Sequence, residues 1–218
     1  KIGTFGDFDS NGIIDFANEK GVYYGVSDHP IQFFYVEIAI GVGAMTSADI
    51  DNDGFDDLVG NRGILFMSDD GIDSQINYGS NISESAVKMT QVTDVDEDGD
   101  LDVIVTQVGD RPLLLRNDQE LGHHWIRLVL EGRLPNLDAI GAWIELQAGG
   151  VTQRRQVMPT RSYLSQVELP VTFGLGQAEV IDSIRITWPD GTEQAIAVDS
   201  ISIDTQHVIR QDASEASR

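Results

Sequence analysis

The sequence has no cysteine, which excludes disulfides, thiolate metal sites and a cysteine nucleophile. Positive charge is scarce, above all in the first half. Residues 1–110 hold 22 Asp and Glu against 4 Lys and Arg, whereas residues 111–218 hold 14 against 10. No apolar run approaches the length of a membrane span. No signal peptide is visible and the chain opens on Lys1, so it reads as a processed protein or a portion of a longer one. Helical periodicity is weak across the first half. A net charge of −22 on 218 residues would repel phosphate backbones, which argues against nucleic-acid binding, and would attract cations or basic partners. A merely solvated acidic surface would spread its charge along the whole chain. The imbalance calls for a local cause.

That cause is an internal repeat. The segments GDFDSNGIIDFA (6–17), ADIDNDGFDDLVG (48–60) and TDVDEDGDLDVIV (93–105) align, their first aspartates Asp7, Asp49 and Asp94 standing 42 and 45 residues apart. Each follows a short strand-like stretch and runs into an apolar one. A further strand comes next: GVYYGV (21–26), GILFM (63–67) or PLLLR (112–116). A period of roughly 40 to 45 residues with several short strands predicts blades of a β-propeller.

All three segments fit D-x-D-x-[DN]-G-x-x-D. Calcium takes six to eight oxygens, and alternate residues of a tight loop aim successive carboxylates at one point. The glycine at the sixth place (Gly12, Gly54, Gly99) permits the sharp turn. The expected side-chain ligands are Asp7, Asp9, Asn11 and Asp15; Asp49, Asp51, Asp53 and Asp57; and Asp94, Asp96, Asp98 and Asp102. Ile13, Phe55 and Asp100 are expected to add backbone carbonyls. An EF-hand is excluded, because the twelfth places hold Asn18, Gly60 and Val105 instead of a bidentate Glu. Magnesium suits such flexible all-protein cages poorly. Asp/Asn/Gly turns also form without metal. Yet three copies in register, each crowding carboxylates that repel one another, favour an ion.

The repeat ends around residues 117–123. HWIRLVLEG (124–132) alternates, AIGAWIELQAGGVTQRRQVM (139–158) reads as two strands joined at Gly149-Gly150, and DSIRITWPDGTEQAIAV (182–198) places Ile184, Ile186 and Trp188 on one face. The expected organisation is three propeller repeats over 1–118 (1–43, 44–87, 88–118), a second β-sandwich-like domain over 119–210, and a disordered tail over 211–218. Other chemistry is thin. His123 and His124 are adjacent and would point to opposite faces of a strand. Ser162 and Ser165 lack a nucleophile elbow. Asp56-Asp57 and Asp69-Asp70 are set aside as glycosidase acids, since Asp57 is assigned to calcium and no aromatic cleft is evident. In RSYLSQ (161–166), Tyr163 and Leu164 are expected to pack; Arg161, Tyr163 and Gln166 forming a small recognition site is the alternative. Arg154-Arg155 is expected on a solvated hairpin face, docking on an acidic neighbour being the other reading.

The acidic segments resemble FG-GAP/VCBS repeats, the blades of integrin alpha-subunit propellers and of many bacterial surface proteins. HHWIRLVLEGRLPNLDAIGAWIELQAGG, RSYLSQ, FGLG (173–176) and DSIRITWPDGTEQ resemble the ASPIC/UnbV domain that follows such repeats in cartilage acidic protein and its bacterial relatives. No EGF-like cysteine module is present, which favours a bacterial-type relative. Three repeats fall short of the four to eight blades of a closed propeller. Either further blades lie upstream or another copy completes the edge. The resemblance implies an all-β, calcium-binding protein with up to three structural Ca2+ ions, secreted, periplasmic or at the cell surface. The expected role is non-enzymatic adhesion, with a protein or glycan ligand. A structural subunit joined through blade edges, with self-association, and a scaffold for a secreted enzyme are the alternatives.

Overall fold

A computed structural model describes residues 3–18, 20–28, 31–37, 44–60, 62–78, 87–160 and 167–212. Among these, eighteen strands form five sheets. The RSYLSQ segment and residues 213–218 of the expected tail lie outside the described residues. None of the described helical turns is long and apolar enough to cross a membrane.

The first sheet runs β1(Gly3–Gly6), β2(Asp15–Asn18), β3(Gly21–Asp28) and β4(Ile31–Glu37), each strand antiparallel to the next. The second repeats this order with β5(Ala44–Ala48), β6(Asp57–Gly60), β7(Gly63–Ser68) and β8(Gly71–Asn77). The third holds β9(Val87–Thr93), β10(Asp102–Gln107) and β11(Leu113–Leu115). In each sheet an acidic loop joins the first strand to the second. The strands expected at 21–26, 63–67 and 112–116 are β3, β7 and β11. β4 and β8 form a fourth row that the sequence pattern did not single out.

The sheets stack on one another through their alternating side chains. Phe8, Ala17 and Val22 pack against Leu58, Leu65 and Met67 between the first and second sheets. Val59, Ile64, Ala48 and Ile50 pack against Val92, Leu101, Val103 and Val105 between the second and third. β6 is therefore buried along its whole length. The opposite face of the first sheet carries a row of rings in register, Phe5, Phe16, Tyr23 and Tyr35, with centroids 4.6–5.7 Å apart.

The C-terminal half has two sheets around one core. β12(His124–Glu131) lies between β15(Val171–Gly176) and β18(Thr205–Arg210), the latter parallel to it. The other sheet has the order β14(Val151–Gln156), β13(Trp143–Ala148), β16(Ile181–Thr187), β17(Glu193–Ile196). Ile126, Leu128 and Leu130 meet Ile144, Leu146, Phe173, Ile184 and Ile186 in that core. Each fully buried Leu or Ile contributes roughly 1.5–3 kcal/mol. Gly149 and Gly150 join β13 to β14 with φ of 57° and 85°, the pair of positive values a tight type I′ hairpin requires.

Candidate metal centres

The three acidic loops share one set of hydrogen bonds. The sixth-place glycine amide donates to the first aspartate: Gly12 to Asp7, Gly54 to Asp49 and Gly99 to Asp94, at 2.9, 3.0 and 3.2 Å. The seventh-place amide donates to the fifth side chain: Ile13 to Asn11, Phe55 to Asp53, Asp100 to Asp98. The fourth residues, Ser10, Asn52 and Glu97, have φ of 50–62°, and the glycines 81–103°. Two left-handed positions two residues apart coil the chain so that alternate side chains converge.

The ninth-place acids do more than close a ring. Both carboxylate oxygens of each accept main-chain amides, one from the loop and one from beyond the second strand. Asp15 holds Phe8 (2.7 Å) and Gly25 (2.6 Å). Asp57 holds Ile50 (2.8 Å) and Met67 (2.9 Å), and Asp102 holds Val95 (2.9 Å) and Asn117 (2.8 Å). These acids clasp each loop to its sheet, a duty the spacing alone did not disclose.

Carboxylate oxygens of Asp7, Asp9 and Asp15 come within 4.8 Å of one another, as do those of Asp49, Asp51 and Asp53, and those of Asp94, Asp96 and Asp102. Asp57 is not in the second group. Asp98 stands instead with Asp96 and Asp118, where Arg116 lies 3.0 Å from Asp96 and 2.5 Å from Asp118. The Asn11 amide donates to Asp9 and to the Gly25 carbonyl. The Asp100 carboxylate takes the side-chain amides of Asn52 and Gln119.

Two arginines of the C-terminal half reach these loops. Arg155, buried, lies 3.4 Å from Asp49 and 2.9 Å from Asp56. Arg127, on the face of β12 opposite the core, lies 3.3 Å from Asp94 and 2.6 Å from Glu168. The expected solvated pair therefore splits, Arg154 stacking on Trp143 at 4.5 Å while Arg155 docks on acids. The histidines also part: His123 Nδ1 is 2.7 Å from the Asp51 carbonyl, and His124 Nδ1 2.8 Å from Asp204. Alternation along β14 puts Gln153 and Arg155 on its buried side, which no apolar pattern in VTQRRQ announces.

Burial dominates the electrostatics of these loops. It pushes Asp7, Asp15 and Asp53 up to about 7. It lifts Asp49 to about 8 despite the opposing charge of Arg155, and holds Asp57 well above the carboxylate range, with Asp49 and Asp51 adding to the rise. Burial works against the charge of Arg155, yet Asp56 and Asp49 raise it overall. Acids with raised values bind protons more tightly folded than unfolded. Their stability contribution is complete at about pH 4 and is lost as pH climbs through 7 to 8. The calcium-free chain should therefore melt lower at pH 8 than at pH 5.5, and bound calcium should flatten the trend. Melts at both pH values with and without chelator check this; a calcium-free melting point that rises with pH would contradict it.

Residues 132–216 match the family model described as ASPIC and UnbV. Cartilage acidic protein 1 of mouse (Mus musculus) and of human (Homo sapiens) are each 35% identical to the chain over 104 residues. That stretch is 46% of this chain but only 16% of the mouse protein and 15% of the human one.

Proposed function

We propose that the chain is a calcium-binding module of a secreted, periplasmic or surface protein, its first three sheets being propeller blades of the FG-GAP/VCBS kind and its C-terminal sheets a sandwich. One observation carries the calcium reading. Oδ1 of Asp49 and Oδ1 of Asp94 are buried with no hydrogen-bond partner, although Oδ2 of Asp49 accepts three donors and Oδ2 of Asp94 two. An orphaned buried acceptor costs roughly 1–3 kcal/mol, more when charged. A hard divalent cation satisfies it and the carboxylates beside it. The donor set is all oxygen: Asp7, Asp9, Asn11 and Asp15 in the first loop, Asp49, Asp51 and Asp53 in the second, Asp94, Asp96 and Asp102 in the third. Carbonyls of Ile13, Phe55 and Asp100 complete the proposed shells. Calcium supplies charge neutralisation here and no chemistry on a substrate.

Calorimetric titration of the chelator-stripped chain with calcium should count three ions, and two in an Asp94→Asn variant. An absence of binding at millimolar calcium would remove the reading. The module's ligand is proposed to be a protein or glycan. A second reading, assembly through a blade face, draws support from the aromatic row of the first sheet, where Phe5 is 55% and Tyr35 41% exposed. Sedimentation as a monomer at every concentration would remove that one.

A further inference from the structure

The second and third loops are at once the candidate ion centres and the surface on which the C-terminal sheets rest. Oδ2 of Asp49 accepts the Gly174 amide of β15 at 3.1 Å, beside the Gly54 amide and Arg155. The Gly176 amide donates to the Asn52 carbonyl at 2.9 Å. His123 meets the Asp51 carbonyl, and the Trp125 indole lies directly over Gly99 of the third loop. Asn52 ties the two loops together through Asp100 and the Gly99 carbonyl. The first loop differs. Asp7 accepts only the Asn11 and Gly12 amides of its own loop among the hydrogen bonds described. A cavity of about 240 Å³, lined by Asp7, Ser10, Trp143, Arg154 and Met158, separates it from β14.

We propose that ion binding in the second and third loops and docking of the C-terminal sheets are one coupled equilibrium, to which the first loop is linked through the second, by the Ser10 hydroxyl donating to the Gly54 carbonyl at 2.9 Å and the Asp7 amide to Asp56 at 3.4 Å. The inference rests on the calcium reading above. An ion on Oδ1 of Asp49 fixes that carboxylate, so Oδ2 is already aimed at Gly174 and Arg155 when the sheets arrive. Conversely, a docked β15 holds Asp49 and Asn52 in the coil that the ion needs. Whichever event comes first bears the ordering cost of the loop, and the second is favoured by the same factor.

Gly174→Ala tests this without changing charge or replacing a proposed ligand. A Cβ there would stand 2.4 Å from the Asn52 carbonyl carbon and 2.4 Å from Asp49 Oδ2, so docking must loosen. Amide exchange is followed by NMR along a calcium titration. In the wild-type chain, calcium should protect the Gly174 and Gly176 amides together with the loops. In Gly174→Ala the calcium midpoint of the second loop should rise about tenfold, within the usual range for coupled sites, while that of the first loop moves least. Trp125→Ala should do the same at the third loop and carries the test should Gly174→Ala fail to fold. Unmoved midpoints in the second and third loops, or one equal shift in all three, would overturn the coupling. A wild-type chain with no calcium midpoint in any loop would instead overturn the calcium reading and the coupling with it.

Discussion

Removing the proposed calcium ions should lower the melting temperature by on the order of 20 °C, the largest effect expected of any treatment that leaves the sequence intact. An ion present at about 100 times its dissociation constant stabilises the folded chain by roughly 2.7 kcal/mol, and three such ions by about 8 kcal/mol. A chain of 218 residues moves about 2–4 °C per kcal/mol. The effect reaches the whole molecule because the loops sit within its joints. Asp57 and Asp102 clasp β6 and β10 to their neighbours, while Asp49 and Asp94 receive arginines from the C-terminal half. Calorimetric scans in chelator and in millimolar calcium provide the check. Superimposable scans would mean that burial and the arginines alone hold the acids, and the ion would have no structural role.

The loops were legible because their chemistry is local. Aspartates, a glycine and a following strand within nine residues fix a turn whose hydrogen bonds recur three times. The strands β12, β13 and β16 were legible for a similar reason, since their alternation matches a face buried in one core. β4 and β8 were not. They are outer strands, largely exposed, so no face had to alternate: IQFFYVE has three successive aromatics and GIDSQIN is mostly polar. Arg155 and Arg127 were illegible for the opposite reason. Their partners are 106 and 33 residues away, and an arginine in a half-exposed strand looks the same whether water or a buried carboxylate faces it. The excess of acid in the first half was the one hint. Buried acids need a cation, and the positive residues of the second half were the only ample supply within the chain.

Arg155→Met should be the most damaging single substitution outside the loops. Asp49 and Asp56 are 1% and 4% exposed, and the guanidinium between them is itself buried. Removing one partner of such a group leaves uncompensated charge in a dry site and costs about 3–5 kcal/mol. For this chain that is a melting point lower by roughly 6–20 °C. Methionine keeps the apolar reach over Phe173, whose ring lies 5.5 Å from the guanidinium carbon, so the loss isolates charge more than packing. Two conditions should shrink it. At pH 5.5 Asp49, already lifted to about 8 by burial, takes up a proton and needs no countercharge. In millimolar calcium the proposed ion would share the same carboxylate. The penalty should therefore be greatest in chelator at pH 8 and smallest in calcium at pH 5.5, read from melts of both chains under the four conditions. An equal penalty in all four would assign Arg155 a packing role and detach it from the charge of the second loop.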